Sequence, residues 1–212
     1  MLRFASAALF ALFLAVPVAA QVPEGLMMRV DRSTNAADPD DVPEVTITTV
    51  GSGFQVNTGP AAVLWKADQT ATGAYTLRGR FTLQAPSSHR NFYGLVFGGR
   101  DLGGAGQNYL YFMVAQTGEF ILIHRANSET THTVQAATAH PSIVVPDASG
   151  KSVNELEVRV GASEIAYVVN GTVVHTTPKS GMTGNTDGIW GVRINHVLPG
   201  VLVENLGVTT GN

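Results

Sequence analysis

Glu155 and Glu157 are the pair of carboxyl groups whose spacing comes nearest to a known hydrolytic chemistry. They lie two residues apart in a segment that alternates as a strand does, so they share one face at a separation of roughly 6.5–7 Å. Glycosidases use carboxyl pairs at comparable spacings. Leu156, Val158 and Val160 face the core between them and beyond them, which turns both acids to solvent. We interpret the pair as a solvated strand face.

Sugar binding is the second chemistry for which suitable residue types are present. It needs aromatic rings to stack on apolar sugar faces and planar polar groups for the hydroxyls. In the segment 189–195, Val192 and Ile194 supply the core face, so Arg193 lies on the opposite face. The predicted ligand-binding residues are Trp65, Tyr109, Tyr111, Arg193 and Asn195.

Composition excludes several other functions. The chain has 212 residues with no cysteine, which removes disulfides, thiolate metal sites and cysteine nucleophiles. Its net charge of -3 offers no basic surplus for a phosphate backbone, so we expect no nucleic-acid partner. The six histidines show neither the i, i+4 spacing of a helical zinc site nor a two-apart pairing on a strand.

The elements that must position these residues are all β. Residues 45–50 are rich in β-branched types, and Tyr75–Leu83 alternates like a half-buried strand. Asn170-Gly171 between two apolar segments is a strong hairpin signal. Strands that recur at short spacing predict an all-β fold, an antiparallel jelly-roll β-sandwich.

Residues 109–114 and 120–123 are apolar at every position rather than at alternate ones. The outer face of a two-layer sandwich normally meets water, so something should cover these strands on their second side. A loop of the same chain, a second protein or an apolar ligand are the alternatives.

The chain divides into three parts. Residues 1–20 have one early charge, an apolar run and small residues at the end, the pattern of a secretory signal peptide. Cleavage after Ala20 predicts a periplasmic or secreted protein; retention as an anchor is the alternative and would bring the chain to a membrane. Residues 21–44 read as an irregular acidic lead-in, and residues 45–212 as one β-sandwich domain.

The chain resembles the concanavalin A-like lectin/glucanase superfamily and is most similar to the 3-keto-disaccharide hydrolase domain family. The resemblance rests on the order of the stretches 59–65, 94–99, 108–112, 169–171, 191–196 and 203–206. The polar motifs of that family are degraded here, with Gly98 where an arginine is typical and His196 displaced by one residue. A displacement of one sends a side chain to the opposite face of a strand.

We expect no cofactor, and calcium is the alternative that the superfamily resemblance implies, because many such sandwiches tie an early loop to the last strand with this ion. Calcium takes six to eight oxygen ligands. Asp38 and Asp40 are the candidate ligands on the loop, and Glu204 is the candidate on the late strand.

The sequence therefore predicts an exported, non-catalytic β-sandwich module that binds a glycan or a protein partner through an apolar and aromatic sheet face. Two alternatives remain. One is a carbohydrate-active hydrolase with an unrecognised site. The other is a structural subunit of an envelope or membrane-associated complex.

Overall fold

The computed structural model of the chain describes residues 22–32, 44–88 and 90–210. Within these ranges the chain forms two antiparallel sheets of seven strands each and one 3-10 turn, Gly181–Thr183. The prediction of an all-β jelly-roll sandwich is confirmed.

The two sheets have the following strand orders. Sheet A consists of β1 (Leu26–Asp31), β4 (Ala61–Ala71), β13 (Gly188–Ile194), β6 (Phe92–Arg100), β7 (Asn108–Ala115), β8 (Glu119–Arg125) and β9 (Thr131–Ala139). Sheet B consists of β12 (Thr172–Pro178), β11 (Glu164–Val169), β10 (Ser152–Val160), β5 (Tyr75–Leu83), β14 (Val201–Thr210), β3 (Gly53–Asn57) and β2 (Thr46–Val50).

Alternation along β5 shows how the sequence builds the space between the sheets. Leu77 and Phe81 are fully buried, while Arg78 and Arg80 point away from the core. Facing strands of both sheets contribute their alternate residues to the same core, which a cluster of 29 buried side chains fills. Burial of apolar surface on this scale is the main term that stabilises the fold.

The predicted hairpin at Asn170-Gly171 is confirmed. It joins β11 to β12, and both turn residues have positive φ, 50° for Asn170 and 80° for Gly171. A two-residue turn of this kind matches the right-handed twist of its strands, and glycine takes the conformation without steric cost.

The sequence predicts an irregular stretch over residues 21–44, but part of this stretch is a regular strand. Residues 26–31 form β1, which pairs with β4 at the edge of sheet A, so that Arg29 lies opposite Val63 and Asp31 opposite Ala61. Six residues flanked by turn-forming types carry a weak local signal, and β1 exists because β4 satisfies its backbone groups.

The second face of residues 109–114 is covered, as the sequence requires. The outer side of sheet A carries a second apolar cluster, which we call the outer cluster. It consists of Val63, Trp65, Phe92, Val96, Leu102, Tyr109, Tyr111, Met113 and Ala115. Leu102 belongs to the loop 101–107, and Gly103 of the same loop lies against the Trp65 ring. A loop of the chain itself therefore supplies part of the cover.

Candidate functional site

Arg193 lies on the face of β13 that the alternation predicts. Val192 and Ile194 are fully buried between the sheets, and Arg193 points to the outer side of sheet A. It is not a surface residue, however, because only 7% of it is exposed. A guanidinium this deeply buried needs polar partners close by.

Those partners are an acid and two tyrosines. The Nη1 atom of Arg193 donates to Asp31 Oδ2 at 2.6 Å and to the Tyr109 hydroxyl at 3.1 Å. The guanidinium lies 5.3 Å from the centre of the Tyr111 ring, within the range of a cation–π contact. The Tyr109 and Tyr111 rings are themselves 5.6 Å apart.

Asp31 is the centre of a larger arrangement. Besides Arg193, it accepts from Arg29 Nε at 2.9 Å and from Arg125 Nη2 at 3.2 Å. These four residues, Arg29, Asp31, Arg125 and Arg193, are called the arginine cluster below. Its side chains are 9–21% exposed, so the cluster is largely buried but reached by solvent.

Two loops hold the outer arginines of the cluster. Arg29 Nη1 donates to the Gly104 carbonyl at 2.7 Å, and Arg125 Nη1 donates to the Ser128 carbonyl at 3.1 Å. With its amide oriented so that the oxygen accepts, Gln107 lies 2.7 Å from Arg29 Nη2. The loop 101–107 therefore packs against the cluster.

The charges of the cluster shift the protonation equilibria of its members. Burial by itself raises the pKa of Asp31, but the charge of Arg193 and the hydrogen bonds from Arg193 and Arg29 outweigh it, so that pKa lies below its usual value. Burial by itself lowers the pKa of Arg193, yet the neighbouring Tyr109, Tyr111 and Asp31 raise it above its usual value. Asp31 and Arg193 are therefore both charged at neutral pH.

Donors remain unused in this arrangement. The Nε atoms of Arg125 and Arg193 are buried and have no hydrogen-bond partner among the described residues. Buried donors without an acceptor are rare in folded proteins because each costs free energy. Burial also raises the pKa of Tyr111, so its hydroxyl keeps its proton and can donate.

The structure brings four of the five predicted ligand-binding residues together on the outer side of sheet A. Trp65, Tyr109 and Tyr111 share the outer cluster, and Arg193 contacts both tyrosines. Trp65 is only 4% exposed and packs under the loop 101–107. Asn195 follows β13, where its backbone N–H donates to the Phe92 carbonyl and its carbonyl accepts from Thr58 Oγ1.

Sequence reasoning did not find Arg29, Asp31 or Arg125. Arg29 and Asp31 lie in the stretch that the sequence predicts to be irregular. Arg125 is the last residue of β8, whose sequence is apolar over residues 120–123. The only local signal was the alternation of Met27, Arg29 and Asp31, which places three side chains on one face of an extended segment.

The predicted calcium ligands are only partly within the described residues. Asp38 and Asp40 lie outside them. Glu204 is on β14, with its side chain 37% exposed and 4.0 Å from Arg80 Nε. Residues 22–32, 44–88 and 90–210 contain no group of three or more acidic, histidine or cysteine side chains that could hold a metal ion. Calcium stays a prediction.

Glu155 and Glu157 line a groove of about 460 Å³ on the outer face of sheet B, together with Arg78, Arg80 and Thr209. Glu157 makes an ion pair of 2.7 Å with Arg159, and Glu155 lies 3.9 Å from Arg80. The expected solvent-facing orientation of both acids agrees with their positions.

No helix among the described residues is long and apolar enough to cross a membrane.

Comparison with known proteins places the fold. No protein-family model and no curated protein sequence matches the chain. Among solved structures, carbohydrate-binding module CBM66 from Bacillus subtilis superposes with a TM-score of 0.60 at 12% identity, over 79% of this chain and 92% of that one. An endo-β-1,3-glucanase from Pyrococcus furiosus gives 0.60 at 10% identity, over 92% of each chain.

A third similar structure is the carbohydrate recognition domain of Emp46p, with a TM-score of 0.55 at 9% identity over 89% of each chain. At these identities the likeness concerns the fold. The chain has the β-sandwich fold that these three structures share.

Proposed function

We propose that this protein binds carbohydrate without transforming it, at the arginine cluster and the adjoining Tyr109 and Tyr111 on the outer side of sheet A. One observation carries the proposal: two tyrosine side chains and a planar guanidinium meet on one sheet face. Hydroxyl and guanidinium donors recognise the hydroxyl groups of sugars, whereas the tyrosine rings here are at most 7% exposed and support the site from behind. The similar structures named as carbohydrate-binding domains lend support at the level of fold alone.

A ligand would reach this site at the edge of the arginine cluster that is open to solvent. Arg29 and Arg125 are the outer members of the cluster, with side chains 21% and 12% exposed. Tyr109, Tyr111 and Arg193 form the wall behind them. The groove on sheet B is lined by no aromatic side chain among the described residues, which favours sheet A.

The test is a glycan array followed by calorimetry with Tyr109→Phe. This change keeps the ring and removes the hydroxyl that meets Arg193, so we expect binding to weaken about three- to tenfold, the loss of one hydrogen bond. Tyr167→Phe is the matched control, since its hydroxyl contacts Thr177 inside the core. The proposal would be overturned if the protein bound no glycan on the array, or if Tyr109→Phe and Tyr167→Phe bound with equal affinity.

Hydrolysis is the second candidate, and the finer resemblance to the 3-keto-disaccharide hydrolase domain family belongs with it. Glu155 and Glu157 in the sheet B groove are the observation in its favour. Each, however, has an arginine beside it, whereas a glycosidase needs one carboxyl group kept protonated as the acid. We therefore propose a non-catalytic module.

Export is a further part of the proposal and rests on the sequence pattern of residues 1–20, which lie outside the described residues. Intact-mass measurement on protein from the native host should show a chain beginning at Gln21. Met1 on most molecules would contradict export with cleavage, and would favour a membrane-associated subunit instead.

A further inference from the structure

We infer that the sugar recognised by this site is acidic, and that its carboxylate binds at the outer edge of the arginine cluster, between Arg125 and Arg193. The inference rests on the proposed function and names the chemical class of its ligand. It follows from the charge balance of the cluster, from its unused donors and from the shape of a guanidinium.

The charge balance comes first. Three arginines surround one carboxylate, and among the described residues Asp31 is the acid with which each of them pairs. The cluster thus keeps two uncompensated positive charges, in a chain whose net charge is -3. Such a site attracts anions and gains little from a neutral sugar, whose hydroxyl groups cannot compensate charge.

The unused donors point the same way. Arg125 Nε and Arg193 Nε are buried, and neither has an acceptor within the described part of the chain. Tyr109 accepts from Arg193 through its oxygen, which leaves its own proton for a further acceptor. The cluster therefore has donor capacity that no protein acceptor uses among the described residues, and an arriving anion meets it first at the Arg125 side chain, which is 12% exposed.

A carboxylate fits the geometry of this site. A guanidinium presents parallel N–H groups in a plane, and a carboxylate matches them with two coplanar oxygens. Asp31 shows that a carboxylate is accepted among these guanidinium groups, with one N–H from Arg29 on Oδ1 and one each from Arg125 and Arg193 on Oδ2. A second carboxylate, on a uronate ring, would accept from the remaining donors at the outer edge.

The experiment compares uronate polymers with their own carboxyl-reduced forms by calorimetry, for polygalacturonate, alginate, hyaluronate and glucuronoxylan. We expect at least one polyuronate to bind about tenfold or more tighter than its reduced form, as for a lost charge-assisted pair. Dextran sulfate is measured alongside as a polyanion without carboxylates.

Arg125→Gln tests the site, because Arg125 is at the edge and Asp31 retains two arginines without it. We expect about a tenfold loss for the polyuronate and a smaller loss for its carboxyl-reduced form, which cannot use the charge of Arg125. The matched control is Arg159→Gln on sheet B, also ion-paired to an acid, which should leave binding unchanged. Thermal melting of both variants establishes that each is folded.

Each outcome decides something. Equal binding of neutral and acidic polymers, weakened by Tyr109→Phe, would overturn the acidic ligand and leave the proposed function standing. Binding of dextran sulfate alone would replace the carboxylate by a sulfate ester and overturn the inference. If the protein bound none of the neutral or acidic polymers, both the inference and the proposed function would be overturned.

Discussion

Asp31 is the single residue on which the candidate site most depends. Its carboxylate keeps three arginines together on the outer side of sheet A, with side chains at most 21% exposed. Buried arginines without a counter-charge would repel one another, and each would pay the cost of leaving water. The acid therefore organises the site as well as stabilising it.

Asp31→Asn should destabilise the protein by about 3 kcal/mol, the usual cost of breaking a buried charge pair. The asparagine keeps the shape of the side chain and removes its charge, so the loss reports on electrostatics. Denaturant unfolding at neutral pH measures it. Glu157→Gln is the control, because its ion pair with Arg159 is more exposed and should contribute under about 1 kcal/mol. Equal losses would show that the cluster is not held by Asp31.

The stabilisation by Asp31 should disappear in acid. Because the folded-state pKa of Asp31 is lower than its usual 3.8, the ionised form stabilises the fold. That contribution is complete above the unfolded-state pKa, and is lost as pH falls through the lower folded-state pKa. The difference in unfolding free energy between the wild type and Asp31→Asn should therefore be constant near neutral pH and shrink below about pH 4. A difference that grew in acid would contradict the assignment.

At the scale of the elements, the sequence and the structure agree where the signal is local. Alternation predicts β5 to the residue, and the Asn170-Gly171 turn predicts its hairpin, because both depend on neighbours along the chain. The strand β1 was missed because it is short and depends on β4 for its hydrogen bonds. Because the sequence does not predict β1, it does not place Arg29 and Asp31 in the predicted site.

The arginine cluster could not be predicted from spacing. Asp31 is 162 residues from Arg193 and 94 from Arg125 along the chain, and three strands and two loops bring them together. Parity placed Arg193 on the correct face, yet it gave no information about which acid would meet it. Residue-level patterns thus predict faces of strands, whereas partners across a sheet depend on topology.

A buried asparagine fixes another element, the segment between β9 and β10. Asn154 is fully buried, and its side chain receives the Val144 backbone N–H at 2.8 Å, donates to the Val144 carbonyl at 3.0 Å and accepts from Asn170 at 2.9 Å. It therefore attaches this segment to β10 and to the hairpin turn.

Asn154→Ala should cost about 1–3 kcal/mol, because it leaves the backbone groups of Val144 and the amide of Asn170 without their partner. Hydrogen exchange should show the Val144 amide losing protection. Asn57→Ala is the control, since Asn57 donates to Thr46 at an exposed sheet edge and its loss should be smaller. A cost no larger than that of the control would mean that water replaces Asn154.

At the scale of the whole molecule, the two outer faces carry different chemistry. Sheet A carries an apolar and aromatic cluster bordered by excess positive charge, while in the sheet B groove Arg80 lies within 4.0 Å of two acids, Glu155 and Glu204. The outward residues of β7 are at most 7% exposed, so this strand offers no open apolar surface to a neighbouring subunit or to a sugar ring. The proposed recognition therefore depends on the polar edge of the cluster, where solvent reaches Arg29 and Arg125.

The same division predicts that the protein does not hydrolyse glycans. The two acids of the sheet B groove lie on one solvent-facing strand, each beside an arginine, so the pair lacks the two contrasting environments that separate a catalytic acid from a catalytic base. Incubation with plant and microbial polysaccharides should release no reducing ends above the buffer level, including those polymers that the protein binds. Turnover abolished by Glu155→Gln or Glu157→Gln would contradict this, and would move the functional face of the molecule from sheet A to sheet B. Turnover that both variants retain would instead require a catalytic group outside that groove.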